Sequence, residues 1–171
     1  PRESPELAAW LAQIEQLHPS SIALGLERVG QVWARLQALA VAPGAGSAPL
    51  VITVAGTNGK GSVCATLEAI CRAAGYRTGV YASPHLSHYC ERVRIDAQTV
   101  TDAEMVAAFE AVAAVRADTP LTYFEFGTLA AFQLFSAHPL DVWILEVGMG
   151  GRLDAVNLID ADVAIITNIA L

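Results

Sequence analysis

The stretch Val54-Ala55-Gly56-Thr57-Asn58-Gly59-Lys60-Gly61-Ser62 decides how the rest of the chain is read. Ahead of it, Leu50 to Ala55 is a short apolar run with β-branched residues, the pattern of a buried parallel strand. Behind it, Val63 to Ala74 has helical spacing, and Gly75 is placed to end the helix. A glycine-rich turn between strand and helix aims backbone N–H groups and the positive helix end at one point, which suits a polyphosphate. Lys60 adds a full charge there, and the Ser62 hydroxyl can ligate Mg²⁺. An ordinary glycine-rich turn has no need of a lysine and a serine at these positions. The stretch reads as a nucleotide site, with Thr57, Asn58, Gly59, Lys60, Gly61 and Ser62 as ATP-binding residues.

The spelling departs from the common G-x-x-x-x-G-K-[ST], in which the hydroxyl directly follows the lysine. Here the tract is shorter between its first two glycines, and Gly61 stands between Lys60 and Ser62.

Working outward, 171 residues fit one domain that can bury about 70% of its unfolded surface. Hydrophobic residues make up 54% and charged ones 16%, which predicts a sheet covered on both faces. No apolar run approaches the roughly 18 residues of a membrane span. The N-terminal residues lack the basic region and apolar core of a secretory signal. A net charge of −7 disfavours non-specific nucleic-acid binding, so a polyphosphate must be held by local positive groups. Three cysteines, with no C-x-x-C and no paired histidine spacing, argue against a disulfide framework or a zinc site and suit a reducing cytoplasm. Cys64 and Cys71 share a helix face and are expected to pack, whereas Cys90, among charged residues, is expected at the surface.

Ser4-Pro5 reads as an N-cap followed by proline at the first helical position, and Leu7, Trp10, Leu11, Ile14 and Leu17 form one stripe. His18-Pro19 ends that helix. A second helix over about 26–39 turns Val29, Val32, Trp33, Leu36 and Leu39 inward. The glycine- and proline-rich stretch 42–49 reads as a joint. Thr78 to Ala82 is a second strand, broken by Ser83-Pro84-His85-Leu86-Ser87-His88. Arg92 to Asp96 alternates as a short exposed strand, and Thr101-x-x-Glu104 is a capping box opening a helix with Met105, Phe109 and Val112. Tyr123 to about Ala137 is a helix rich in aromatics, including Phe124, Phe132 and Phe135. Asp141 to Val147 and Val163 to Thr167 are further strands.

Buried strands alternating with helices predict a doubly wound, mostly parallel α/β sheet carrying the phosphate loop and preceded by two helices. The expected organisation is one domain over 1–171, with a helical preface at 1–41 and an α/β body at 50–171. Ligands on such sheets gather beyond the carboxyl ends of strands, where the phosphate loop, Ser83, Glu146 and Asn168 all fall. The chain stops just past the last strand and reads as truncated.

Glu146 ends the run Val142-Trp143-Ile144-Leu145. A carboxylate there, opposite a phosphate loop, can hold Mg²⁺ from the second side; its bland alternative is a buried acid capping a neighbouring helix. Ser83 serves equally as a turn serine or a hydroxyl ligand. His85 and His88, a loop pair without acidic partners, read as polar surface rather than metal ligands. Glu91-Arg92-Val93-Arg94 is either a solvated edge strand or a source of positive charge for an anion. Gly148, Gly150 and Gly151 permit close backbone approach, with Arg152 and Asp154 offering one charge of each sign. Thr122-Tyr123-Phe124-Glu125 is by default aromatic core and, more sharply, a ring-stacking pocket.

G-T-N-G-K-G-S, Y-x-S-P-H-L with E-R-V-R-I, L-T-Y-F-E-F-G-T-L and L-E-V-G-M-G-G-R-L-D-A-x-N occur in one order, together with L-G-L-E-R-V at 24–29. This set resembles the N-terminal part of the bacterial bifunctional dihydrofolate synthase/folylpolyglutamate synthases, within the Mur ligase superfamily. The extra glycine at 61 is similar to this branch rather than to the cell-wall branch. The resemblance implies Mg²⁺ held by Ser62, Ser83 and Glu146. It also implies a pterin site drawing on Ser21, Ile22, Ala23 and Leu24, on Thr122, Tyr123, Phe124 and Glu125, and on Leu153, Asp154 and Ala155. Val156 departs from a threonine frequent in the family. The family's aspartate–histidine pair, modified lysine and second domain are not among these residues.

The implied reaction is ATP-dependent ligation of L-glutamate to dihydropteroate or to a folate glutamate tail through an acyl phosphate, with Lys60 and Glu146 as the catalytic pair. No protein nucleophile is required. The implied partners are ATP, dihydropteroate or folate, and L-glutamate, in a cytoplasmic monomer that binds neither nucleic acid nor membrane. The rivals are a cell-wall peptide ligase of the same chemistry, disfavoured by Gly61 and T-Y-F-E, and a nucleotide-binding module without ligase activity. The 171-residue stretch alone is expected to be inactive.

Overall fold

The computed structural model describes residues 2–18, 23–39, 48–149 and 151–170. Four parallel strands form its centre: β1 (Leu50–Ala55), β2 (Thr78–Tyr81), β5 (Val142–Glu146) and β6 (Val163–Ile166). Two short strands, β3 (Val93–Ile95) and β4 (Gln98–Thr99), add antiparallel beside β2, giving the order β4-β3-β2-β5-β1-β6. Among the described residues five α-helices accompany the sheet: α1 (Pro5–Glu15), α2 (Glu27–Leu39), α3 (Lys60–Ala73), α4 (Asp102–Arg116) and α5 (Tyr123–Ser136).

Successive side chains of a strand point to opposite faces, and here each face has its own core. Ile52 and Val54 of β1 join Val142 and Ile144 of β5 and Cys64 of α3 on one side. Val51, Trp143 and Leu145 join Leu7, Val29, Val32, Phe109, Phe132 and Phe135 on the other. The mostly parallel α/β sheet read from the sequence is therefore present, and α1 and α2 pack within the larger core with α4 and α5.

The local signals act where they stand. Ser4 Oγ accepts the Leu7 N–H at the start of α1, and Thr101 and Thr122 make reciprocal capping boxes with Glu104 and Glu125. Gly59 adopts φ +83°, a left-handed backbone that suits glycine, and starts α3 at Lys60, earlier than Val63.

Four expectations need correction. Leu39 is 72% exposed, because α2 ends there and its inward stripe stops at Leu36. Cys90 is 1% exposed: it lies in a 3-10 turn, Tyr89–Arg92, folded against α4, so its charged sequence neighbours mislead. The strand at 92–96 is not simply exposed, since Val93 is buried and β3 pairs with strands on both sides. Nor is the sheet covered throughout: Val163 and Ile166 of β6 are 43% and 65% exposed. The joint at 42–49 falls mostly outside the described residues.

Candidate functional site

Register brings the strand ends together. Val54 lies beside Glu146, Tyr81 beside Leu145 and Ala55 beside Ile166, so the loops after β1, β2, β5 and β6 leave the same edge of the sheet. The phosphate loop is braced by the segment after β6. Asn168 O accepts the Thr57 N–H at 2.8 Å, and Asn168 Oδ1 accepts the Asn58 N–H at 2.9 Å. The Thr167 hydroxyl donates to Asn58 O at 2.6 Å. Gly56, at φ +134°, is the point of closest approach: a Cβ there would run into Thr167 and Asn168. Thr57 and Asn58 thus spend their N–H groups on holding the loop. The first-turn N–H groups of α3, at 60–62, have no intrahelical acceptor and face the positive helix end. Lys60 Nζ folds back onto Gly56 O at 2.9 Å.

Glu146 is buried at the end of β5, and its Oε2 accepts the Ser83 N–H at 2.9 Å. Burial raises its carboxyl above the ordinary range, against the opposing pull of the Ser83 N–H and the Lys60 charge. A buried carboxylate beside the Ser83 loop and the Lys60 charge offers an oxygen ligand of the kind a hard divalent cation takes.

Beside this edge opens a cavity of about 370 Å³, lined by Lys60, Ser83, Pro84, Arg92 and residues of three further segments. Thr122, Tyr123, Phe124 and Glu125 supply one wall, Leu153, Asp154 and Ala155 another, and Ala23 and Leu24 a third. These are the residues that the resemblance assigned to a pterin. Ser21 and Ile22 lie outside the described residues. Thr57, Asn58, Gly59, Gly61, Ser62 and Glu146 do not line the cavity; the phosphate loop borders it through Lys60 alone.

Two of the acids are occupied in building the walls. Glu125 Oε1 pairs with Arg28 Nη2 at 2.8 Å, and its Oε2 accepts the Thr122 N–H at 2.8 Å. Arg28 Nη2 also donates to Ala23 O at 3.0 Å, tying the segment before α2 to the start of α5. Asp154 is buried and accepts from Met149 N–H at 2.7 Å and Val156 N–H at 3.0 Å, which folds the glycine-rich loop over itself. Burial raises its carboxyl too. Gly148 is where three site segments touch: a Cβ there would stand 2.7 Å from Phe124 Cζ and 3.3 Å from Ser83 Oγ.

Arg92, which the sequence left open as edge-strand surface, lines the cavity with its guanidinium 5.1 Å from the Tyr89 ring centre and 5.7 Å from that of Tyr123. Its Nε donates to His85 Nδ1 at 2.9 Å, and His85 is held below its usual protonation range by burial and by that same cation. Arg94 instead pairs with Glu68 of α3 at 2.9 Å. The sequence did not single out Pro84 or Met149 as wall residues, nor Arg28 as the partner of Glu125. No local pattern could have found Arg28, since its partner lies 97 residues away.

A phosphate loop at the carboxyl edge of a mostly parallel sheet, beside an aromatic-walled cavity, is the architecture of a Mur-ligase-type N-terminal domain. No family model matches the chain. Individual proteins do. The chain is 54% identical over all of its 171 residues to the dihydrofolate synthase/folylpolyglutamate synthase of Escherichia coli, of which it spans 39%. A solved E. coli FolC in complex with DHPP and ADP superposes with a TM-score of 0.90 at 54% identity, over 100% of this chain and 40% of that one. A bifunctional folylpolyglutamate synthase/dihydrofolate synthase with Mn, AMPPNP and L-glutamate bound gives 0.87 at 57% identity, over 100% and 40%. The chain therefore matches the N-terminal part of the bacterial bifunctional dihydrofolate synthase/folylpolyglutamate synthases, spanning about two-fifths of their length.

Proposed function

We propose that the protein carrying this chain is an ATP-dependent ligase that joins L-glutamate to dihydropteroate and to folate glutamate tails, and that these residues form its ATP-binding part. One observation carries the reading: Lys60 of the phosphate loop and the Tyr123–Phe124 wall line the same cavity. A nucleotide phosphate and a flat ring system can therefore meet there. A pterin needs an apolar or aromatic wall with few fixed polar groups, which this cavity offers.

The γ-phosphoryl of ATP passes to the substrate carboxylate, giving an acyl phosphate and ADP. The glutamate amine then attacks the acyl carbon, loses a proton and expels inorganic phosphate. Lys60 leaves Gly56 O to meet the phosphates, and the α3 N-terminus orients them. Ser62, Ser83 and Glu146 would hold Mg²⁺, which when bound offsets charge on the transferred phosphoryl. Ser83 N–H fixes the Glu146 carboxylate through Oε2. Thr122 to Glu125, Leu153 to Ala155 and Ala23–Leu24 position the ring and exclude water. Arg28 acts through Glu125, as a positioning residue.

Among the described residues no helix is long and apolar enough to cross a membrane. A cytoplasmic location suits an enzyme of this kind with three free cysteines. The test is phosphate release by the full-length protein with Mg-ATP and dihydropteroate, begun by adding L-glutamate. Release with a muramyl peptide acceptor and none with dihydropteroate overturns the proposal.

A further inference from the structure

Outside the cavity, three side chains of different metal-ligating chemistry converge on one point. His88 caps the 3-10 turn Tyr89–Arg92, Cys90 lies inside that turn, and Asp102 opens α4. Their ligand atoms all lie within 4.8 Å of one another. His88 Nε2 stands 3.2 Å from Asp102 Oδ1, and Cys90 Sγ stands 3.6 Å from the same oxygen. A tetrahedral Zn²⁺ bonds nitrogen and oxygen at about 2.0 Å and sulfur at about 2.3 Å, so its N···O edge is about 3.3 Å and its S···O edge about 3.5 Å. Two of the three ligand–ligand separations lie close to those edges, and the third is within 4.8 Å.

The arrangement is also held in place. Asp102 Oδ2 accepts the Ser4 N–H at 2.6 Å, which fixes the carboxylate and leaves Oδ1 facing the histidine and the thiol. Such an outer hydrogen bond is what orients a ligating carboxylate. His88 reads from the sequence as a loop histidine without an acidic partner; the fold supplies one from α4.

We infer that His88, Cys90 and Asp102 form a Zn²⁺ site, with water in the fourth position, that clasps the Tyr89–Arg92 turn to the start of α4. Histidine, cysteine and carboxylate together favour zinc over the oxygen-seeking Mg²⁺. The Cys90 thiol proton is released to solvent on binding. The imidazole proton moves from Nε2 to Nδ1, so the turn gives up the 3.3 Å hydrogen bond from Cys90 N–H to Nδ1 and shifts to separate the two donors. The clasp fixes the turn whose last residue, Arg92, lines the cavity. This inference does not depend on the ligase reading.

The test uses the full-length protein, stripped of metal and titrated with Zn²⁺ against a competing chelator, with Co²⁺ as the optical probe. The parent should show a thiolate-to-cobalt charge-transfer band that Cys90→Ser lacks and Cys71→Ser keeps. His88→Asn retains a side-chain acceptor for the turn while removing the imidazole. It should weaken Zn²⁺ at this site at least ~10-fold, the lower bound for loss of even an outer-sphere partner. Should Cys90→Ser fail to fold, His88→Asn decides alone. A parent without the thiolate band, or His88→Asn binding Zn²⁺ as tightly as the parent, overturns the inference.

Discussion

Lys60 starts the helix after β1 and Glu146 ends the neighbouring β5, and their opposite charges make opposite predictions. Lys60→Ala removes a charge-assisted contact of about 1.5–3 kcal/mol, so Mg-ATP should bind about 10–100-fold more weakly, as calorimetry on the full-length protein will read. Glu146 is different because burial raises its carboxyl above the 4.5 of the free side chain. Its protonated form favours the fold fully below that value, and the contribution is lost as pH rises through the folded-state value. At neutral pH the metal-free protein therefore carries a buried charge at a cost. Glu146→Gln should melt no lower than the parent at pH 8, with its relative advantage shrinking towards pH 4.5, although turnover in the full-length protein falls steeply. A mutant less stable relative to the parent at pH 8 than at pH 5 would contradict this account.

Elements were legible where their signals are local. Ser4-Pro5, the Thr101 box and the G-T-N-G-K-G-S turn each fix a start within a few residues of chain, and α1, α4, β1 and α3 follow from them. What was not legible depends on distant partners. The short β4, the burial of Cys90 and the acid beside His88 exist only because the 3-10 turn meets β3 and α4. The candidate site divides in the same way. The T-Y-F-E stretch marks its wall, but nothing near it announces that Glu125 is held by Arg28 from α2. Arg28→Ala leaves that buried carboxylate with the Thr122 N–H but no counter-charge. Because Arg28 is 30% exposed, the low end of the buried-pair range applies, and urea denaturation should give a loss of about 2–3 kcal/mol. The Ala23 segment should loosen with it, raising the KM for dihydropteroate more than that for ATP.

For the whole molecule, the decisive contacts are those of α1 and α2. Leu7, Ile14, Val29, Val32 and Leu36 belong to the same core as Phe109, Phe126 and Phe132, and Ser4 N–H bonds Asp102 at the start of α4. At about 1.5–3 kcal/mol for each buried side chain, these five represent on the order of 10 kcal/mol, comparable with the entire stability of a domain. Deleting residues 1–47 from the full-length protein should therefore abolish cooperative unfolding of this region and expose dye-binding apolar surface. A deletion that still melts sharply would show the helices to be dispensable. The same contacts set a timetable for synthesis. α1 and α2 leave the ribosome before α4 and α5, which cover them and end at Arg116 and Ser136. At ~5–20 residues per second, the apolar faces of α1 and α2 wait on the order of 5–20 seconds for their partners. A nascent chain of this kind needs shelter through that interval, so its yield should depend on holding chaperones and on the pace of translation between α2 and α5.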